Sequence, residues 1–501
     1  MRSLIPLCLL AGCLSAAEPP LKISVYATAG GIQQLMMTPE SLQKAVGAMK
    51  RLGVTRVVLE GRRGDEYVSP KQLADVRDAL EPLGIRSSGG IATVPGKKFG
   101  VRQNGPLAWL NWEADATRDG VAGFFTANAA VFDELVIDDF FCTADTTPES
   151  DKWRAGRDWG QYRRDMLSGL IQPIVIEPAR RARPGVRLVM KFPQWYDRFH
   201  LFGYDPPRMA AQFDRIWVGV EVRNPKTQRM GFVQPTQGYM NYRWLTAVIG
   251  NKVEAAWFDH IECTDQNFLD QAWQSVLAGA HELILFNLFD VVQGHPGHEY
   301  FVRHLPAMQD AARRIQGKPV EGVAFYKPPN SDPGSDRFLM DYLGMLGIPV
   351  VPVAEYPSKS QTVILGMQAA HDPALMPKVD IHLKSGARVF MTESLFETVD
   401  APEGVVRLDL RTFTEQDYLD TGEWLLPPKE IAWLDLERAQ IDALRESLGV
   451  ELSAPTRIAY YRFGRDEAIY SFRDEDVDVV LKGKNVKVPA HSLVWVSPEP
   501  K

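Results

Sequence analysis

Short apolar, β-branched runs alternate with longer amphipathic stretches from Leu21 to about Gln316, and the alternation repeats eight times. A run that is apolar on both faces is what a buried parallel strand requires. The pattern predicts strands over Lys22–Thr28, Val54–Glu60, Ile85–Ile91, Leu135–Phe140, Val186–Phe192, Arg215–Val222, Glu254–Ile261 and Leu283–Leu288. Apolar residues at helical spacing predict helices over Ser41–Leu52, Gln72–Leu83, Arg118–Phe132, Tyr162–Ala182, Asn267–Ala280 and Tyr300–Gln316. Eight strand–helix units in roughly 300 residues predict a (β/α)8 TIM barrel of the α/β class.

The remaining length changes the pattern rather than extending it. After Gly317-Lys318-Pro319, short apolar runs at Val320–Phe325, Val350–Val353, Thr362–Gly366 and Arg388–Met391 alternate with helical stretches such as Asp336–Leu346. They predict a small flavodoxin-like α/β layer. From Thr456 to Ser497 apolar and polar residues alternate around turns at Gly464-Arg465 and Gly483-Lys484-Asn485, which predicts an antiparallel β module. The expected organisation is therefore a leader over 1–17, a catalytic barrel over 18–317, an accessory α/β domain over 318–452 and a β module over 453–501.

Long insertions follow the third to sixth strands, at Pro95–Glu113, Thr143–Gly160, Pro193–Pro207 and Pro225–Tyr239. Loops after barrel strands share one face, and that face is where barrel enzymes build a cleft. Acidic groups gather on the same rim. The fourth run ends in Asp138-Asp139, the sixth in Glu221 and Arg223, the seventh carries Asp259, and the eighth ends in Asn287 and Asp290. Two facing carboxyls can hydrolyse a glycosidic bond, one protonating the leaving oxygen while the other attacks or activates water. Strand alternation lets only one of Asp138 and Asp139 enter the mouth, and Asp139 is favoured as the one nearer the strand end. Arg223, two residues beyond Glu221, should lower the Glu221 pKa, which suits a nucleophile or stabiliser better than a proton donor.

Other rim residues read as substrate contacts: Trp195 after the fifth strand, Trp257 and Asp259 on the seventh, Lys191 ending the fifth, which could instead hold a rim carboxylate ionised or be a solvated loop lysine, and Glu60 with Arg62 and Arg63 after the second, equally a salt-bridged rim. Aromatic faces stack on sugar rings, and Tyr26, Trp109, Trp112, Trp153, Trp159, Trp195, Tyr196, Tyr239, Tyr242 and Trp257 crowd these segments. Burial beneath a long loop is the plainer explanation for any one of them.

Composition narrows the class. The chain has 501 residues, 45% hydrophobic and 24% charged, with a net charge of −7, which argues against nucleic acid or anionic lipid as a partner. Arg2, the apolar stretch Leu4–Leu14 and the small residues Ser15-Ala16-Ala17 form a secretory leader, so the protein is expected to be exported: periplasmic, anchored to the outer membrane or extracellular. Leu10-Ala11-Gly12-Cys13 also fits a bacterial lipoprotein processing site, where a lipidated Cys13 would anchor the protein. Cys142 and Cys263 lie past the fourth and seventh strands, too far apart around a barrel to pair, and are expected to be free thiols.

No cofactor is expected. Asp259, His260, Glu262, His295 and His298 include metal-ligand types, but the histidine-bearing segments are few and the His295-Pro296-Gly297-His298 spacing falls in a loop. A metal-dependent barrel hydrolase is one alternative to carboxylate catalysis, and a non-catalytic glycan-binding barrel is another. The phosphate-cradling, dinucleotide-binding and serine-elbow motifs are missing from the sequence.

Four stretches in order, Phe132–Phe141, Trp159–Arg163, Met190–Tyr196 and Gly219–Pro225, resemble a family of uncharacterised secreted bacterial glycoside-hydrolase-like (β/α)8 barrels. The resemblance covers roughly residues 21–316. It implies an exported glycosidase acting on oligosaccharide or polysaccharide, with Asp138 or Asp139, Lys191, Glu221 and Arg223 at matching motif positions. The family pattern often has threonine where Val220 and Val222 stand here. A barrel followed by an α/β layer and a β module is similar in layout to barrel β-galactosidases with accessory domains.

Overall fold

The computed structural model describes residues 19–104, 109–227, 232–421, 426–430 and 432–496. The leader, with Cys8 and Cys13, lies outside the described residues. Among them, no helix is long and apolar enough to cross a membrane.

Eight parallel strands close into a barrel: β1 Lys22–Ala27, β2 Arg56–Arg63, β3 Arg86–Ala92, β4 Glu134–Ile137, β5 Arg187–Phe192, β6 Arg215–Gly219, β7 Val253–Asp259 and β8 Glu282–Phe286. Closure is carried by β1, in which Val25 pairs with both Val57 of β2 and Leu285 of β8. A two-residue strand, Glu66–Tyr67, folds back on β2 as the one antiparallel addition to this sheet among the described residues.

Inward positions repeat every second residue, so each strand writes its interior layers into the sequence. The middle layer is apolar: Tyr26, Val58, Val136, Val189, Trp217, Ala255, Trp257 and Ile284 pack together inside the ring. Two tryptophans and a tyrosine fill it, so the barrel centre is a packed core and not a channel. Two residues below, towards the strand starts, stand Arg56, Glu134 and Glu282; two residues above stand Glu60, Asp138 and Lys191.

The second unit is a five-stranded parallel sheet of Val323–Tyr326, Val350–Val353, Thr362–Leu365, Arg388–Thr392 and Val406–Leu408. Its spatial order is second, first, third, fourth, fifth, the flavodoxin order. The run expected as one strand from Val320 to Phe325 is divided. Val320–Glu321 instead pairs antiparallel with Ile458–Phe463 in the C-terminal module, and the division falls at Gly322. A side chain at Gly322 would collide with the Pro349 carbonyl, 1.8 Å from a Cβ there, so only glycine lets the chain change sheets.

The C-terminal segment forms two antiparallel sheets, one containing Ile458–Phe463, Asp466–Ser471 and Leu493–Val496, the other Val477–Leu481 and Lys484–Val488. Both added units brace the barrel. Tyr196 and Thr236 donate to Asp341 (2.8 and 2.6 Å), and Phe338 N donates to Asp197 (2.8 Å), so the α/β layer grips the loop after β5. Tyr470 and Tyr461 of the β module donate to Asp270 (2.6 Å) and Gln274 (2.5 Å) on the helix after β7.

Candidate active site

At the carboxyl end of the barrel a single ammonium joins two acids from different strands. Lys191 follows the inward position of Val189 on β5, and its Nζ donates to Asp139 Oδ2 at 2.8 Å and to Glu221 Oε1 at 2.6 Å. Its third contact is the face of Trp257, with Nζ 4.3 Å from the ring centroid. Lys191 is 2% exposed, whereas the Asp139 side chain keeps 13% of its surface open. Burial lowers the ammonium pKa, but the two carboxylates outweigh that and leave it raised.

The local backbone explains how both acids reach this point. β4 stops at Ile137 because Asp138 Oδ1 accepts from Phe140 N two residues on (3.3 Å), an Asx-type turn that competes with the ladder. Asp138 keeps the inward parity of Val136, and the turn carries Asp139 on to Lys191. The expectation that only one of them enters the mouth left the other to face the helical layer or a neighbouring loop, and Asp138 takes the second course, towards Thr93 just after β3. Asp138 is buried, accepts from Thr93 N (3.0 Å) and Thr93 Oγ1 (2.9 Å), and has Asp139, Arg63 and Glu60 for charged neighbours. Burial, with Asp139 beside it, pushes the Asp138 carboxyl up to about 7.

β6 likewise ends earlier than the pattern suggests, at Gly219. Val222 N donates to Val220 O (2.8 Å), and Arg223 takes a left-handed φ of 50°, so Glu221 sits in a tight turn. Its carboxyl folds back over Gly219, where a Cβ would lie 2.5 Å from Oε2. Arg223 pairs with Asp259 instead, Nε to Oδ1 at 3.0 Å and Nη2 to Oδ2 at 2.6 Å. Arg223 does lower the Glu221 pKa as expected, but too weakly to set its direction. Burial comes first and pushes Glu221 up to about 7; Lys191 opposes it, Asp139 and Asp259 reinforce it, and Arg223 contributes least. Glu221 Oε2 is buried with no hydrogen-bond partner.

Glu60 and Trp257 lie deeper than substrate contacts would. Glu60 is fully buried, and its oxygens accept from Tyr26 Oη (2.7 Å), Ala29 N (2.9 Å) and Arg63 Nε and Nη2 (3.0 and 2.8 Å). Arg63, which pairs with Glu60, keeps 25% of its side chain exposed. Trp257 is the floor under Lys191. Asp259 is buried beneath Arg223, whose side chain is 20% exposed.

The aromatic set is smaller than the sequence suggests. Trp112, Tyr196, Tyr239 and Tyr242 are core residues, and Tyr26 is inside the barrel. Trp109 and Trp195 stack at 5.8 Å with rings 4° from parallel, and Trp109 meets Phe140 at 4.9 Å. All three are half-buried, and Phe140 directly follows Asp139 in the chain. Trp153, 60% exposed, stands apart on the helix Pro148–Arg154.

The eighth-strand acids do not join the pair. Asn287 caps the helix Leu288–Gln293 by accepting from Asp290 N (3.3 Å), and Asp290 faces His260 at 3.4 Å. His295 and His298 accept backbone bonds at the start of the helix Pro296–Ile315. Among the described residues no group of three or more His, Cys, Asp or Glu stands in metal-holding geometry. Cys142 and Cys263 are free thiols.

Sequence reasoning missed the residues that hold the loops. Asn241, fully buried, donates to Gly219 O (2.8 Å) and Pro193 O (3.0 Å), tying the ends of β6 and β5 together. Gln271 donates to Asp259 O (2.7 Å) and accepts from Arg223 N (3.3 Å). Each is one of several buried polar residues on its helix, so the sequence pattern alone did not single it out.

Comparison with known proteins agrees with this architecture. A catalytic mutant of Gan42B, a GH42 beta-galactosidase from G. stearothermophilus, superposes with a TM-score of 0.62 at 10% identity, covering 95% of this chain and 97% of that one. Alpha-L-fucosidase isoenzyme 2 from Paenibacillus thiaminolyticus gives 0.57 at 11% identity, covering 94% and 91%. At such identities the likeness is one of fold. A curated relative, Uncharacterized protein SSO3021 of Saccharolobus solfataricus, is 22% identical over 363 residues, 66% of this chain and 59% of its own length. The second domain of that protein also has a family model, which matches residues 319–419 here. The model described as "Probable glycosyl hydrolase, catalytic domain" matches residues 13–300, more than half of the chain, and the chain belongs to that family.

Proposed function

We propose that this protein is an exported glycoside hydrolase that cleaves oligosaccharide or polysaccharide by a double displacement, with Asp139 as nucleophile and Glu221 as proton donor. One observation carries the reading: Asp139 and Glu221, from different strands of a glycosidase-family barrel, bond the same Lys191 ammonium. Their bonded oxygens are no further apart than those two bonds allow. That separation suits the retaining class, near 5–5.5 Å, and falls short of the ~6.5–9.5 Å that leaves room for an inverting water.

The division of labour follows from environment. Asp139 is the more open of the two and is paired with a cation, as an attacking carboxylate should be. Glu221 is desolvated, holds its proton up to about pH 7 and has an oxygen without a partner, as a donor should. Asp138 is also raised, but its hydrogen bonds from Thr93 and Phe140 are those of a residue that shapes the turn. Trp109, Phe140 and Trp195 offer a stacking surface for a sugar ring beside Asp139. Export, with the leader removed after Ala17 or lipidated at Cys13, places the activity outside the cytoplasm.

The test is a panel of 4-nitrophenyl and 2,4-dinitrophenyl glycosides with the wild type, Asp139→Gly, Asp138→Asn and Glu221→Gln. Glu221→Gln should lose kcat/KM for the 4-nitrophenyl substrate by about 10²–10⁴-fold yet keep kcat/KM for the dinitrophenyl one, whose leaving group needs no proton, while kcat falls for both because Glu221 must accept a proton from water in the second step. Asp139→Gly should lose both and recover with azide as a glycosyl azide product. Wild-type rates in Asp139→Gly and Glu221→Gln would overturn the assignment.

A further inference from the structure

Lys191 is placed to do more than hold two acids near each other. In the first step of a double displacement an Asp139 oxygen bonds the anomeric carbon, the glycosidic C–O bond breaks, and the leaving oxygen takes the Glu221 proton. Negative charge thereby disappears from Asp139 and appears on Glu221. In the second step water attacks the anomeric carbon and gives a proton to Glu221, the Asp139–carbon bond breaks, and the charge returns to Asp139. Throughout, one unit of negative charge moves between two carboxyls that share a single, nearly water-free ammonium.

We infer that Lys191 is a positioning residue, a stationary counterion for the charge that passes from Asp139 to Glu221 and back. The inference rests on the glycosidase reading above. Its geometry is specific: separate Nζ bonds of 2.8 and 2.6 Å reach the two carboxyls, so the cation need not move when the charge does. The remaining side of the ammonium lies against the Trp257 face at 4.3 Å, which attracts a cation without competing as a hydrogen-bond acceptor. With Lys191 2% and Glu221 6% exposed, solvent cannot screen the moving charge, so a fixed ion is the means of stabilising both ends. A guanidinium, being planar and forked, would suit one carboxylate in two contacts better than two carboxylates in one each.

The experiment compares wild type, Lys191→Met and Lys191→Arg, each checked for cooperative melting, on 4-nitrophenyl glycosides across pH. Carboxyl titration is followed in the substrate-free proteins by NMR of ¹³C-labelled Asp and Glu. Lys191→Met should lower kcat by roughly 10²–10⁴-fold with KM moved only a few-fold. It should also retain to higher pH the Glu221 proton that the wild type loses near 7. Lys191→Arg, which keeps the charge, should hold the titration near the wild-type position while kcat falls. It serves alone if Lys191→Met does not fold, and a titration displaced upward in Lys191→Arg would overturn the inference. So would wild-type kcat and titration in Lys191→Met, and hydrolysis by carboxylates would still stand. A wild type that cleaves no glycoside but shows the displaced titration in Lys191→Met would sink the glycosidase reading while supporting the counterion.

Discussion

The two ends of the barrel carry the same motif with opposite consequences. At the N-terminal end Arg56 lies between Glu134 and Glu282, with its guanidinium 5.1 Å from the Trp217 ring centroid. At the C-terminal end Lys191 lies between Asp139 and Glu221 above Trp257. Two acids from different strands, a central cation and an indole floor recur across one apolar layer, about 13 Å apart along the strands. The lower cluster is fully provided for. Arg56 donates to Glu282 at 3.0 and 2.7 Å, Ser24 also bonds Glu282, and Ser88 (2.9 Å) and Arg187 (3.3 Å) serve Glu134. Burial is the largest influence on Glu134 and raises its pKa, but Arg56, Ser88 and Arg187 together leave it lowered. The upper cluster leaves Glu221 raised and Oε2 without a partner. The difference teaches that satisfaction, and not residue type, separates a structural ion cluster from a reactive one; the strand starts of such barrels serve stability and the strand ends serve chemistry.

Exchanging the fates of the two clusters gives the largest expected effect. Arg56→Met strands two buried carboxylates and should cost about 3–5 kcal/mol of stability, while the folded fraction keeps its kcat on aryl glycosides. Urea denaturation beside initial rates checks this, and a lost kcat at unchanged stability would erase the contrast.

Next in size is the pH dependence. Glu221, with a folded value near 7 against about 4.3 unfolded, adds stability that is fully present below pH ~4.3 and disappears as pH rises to about 7. Glu134 has a folded value below the unfolded one, so its contribution is present above pH ~4.3 and is lost as pH falls. Glu221→Gln should therefore be more stable than wild type at pH 8, by about 1–3 kcal/mol, with the gap closing by pH 4. Glu134→Gln should be less stable at pH 8, and its deficit should shrink on acidification. Parallel stability curves for the two variants would contradict the distinction. The smallest effect belongs to the rim. Trp195→Ala removes a stacking face worth about 0.5–1.5 kcal/mol, so KM for oligosaccharides should rise up to about tenfold while aryl monosaccharide glycosides are unaffected.

The barrel was legible because its strands are apolar on both faces and return at regular intervals, a pattern few folds can bury. Lys191 was legible as well, since it shares strand parity with Val189. The roles of Asp138 and Asp139 were not. Alternation favoured Asp139 for the mouth, but the Asp138–Phe140 turn that delivers it to Lys191, and the Thr93 bonds that hold Asp138, join segments far apart in the chain. Arg223 was assigned to Glu221 by proximity in sequence, whereas its left-handed backbone carries it to Asp259, 36 residues away. For Glu60 and Trp257 a substrate contact stood beside a salt bridge and burial, and the structure has the latter two, because an end-of-strand position says nothing about what a following loop covers.

Strand count, parallel order and the presence of acids at several strand ends are properties of periodicity, which depends only on neighbours along the chain. Which acid meets which cation, and which carboxyl retains its proton, depends on groups from β4, β5 and the turn after β6 meeting where water is excluded. Electrostatic energies there are set by distance and burial, and both exist only once the ring has closed.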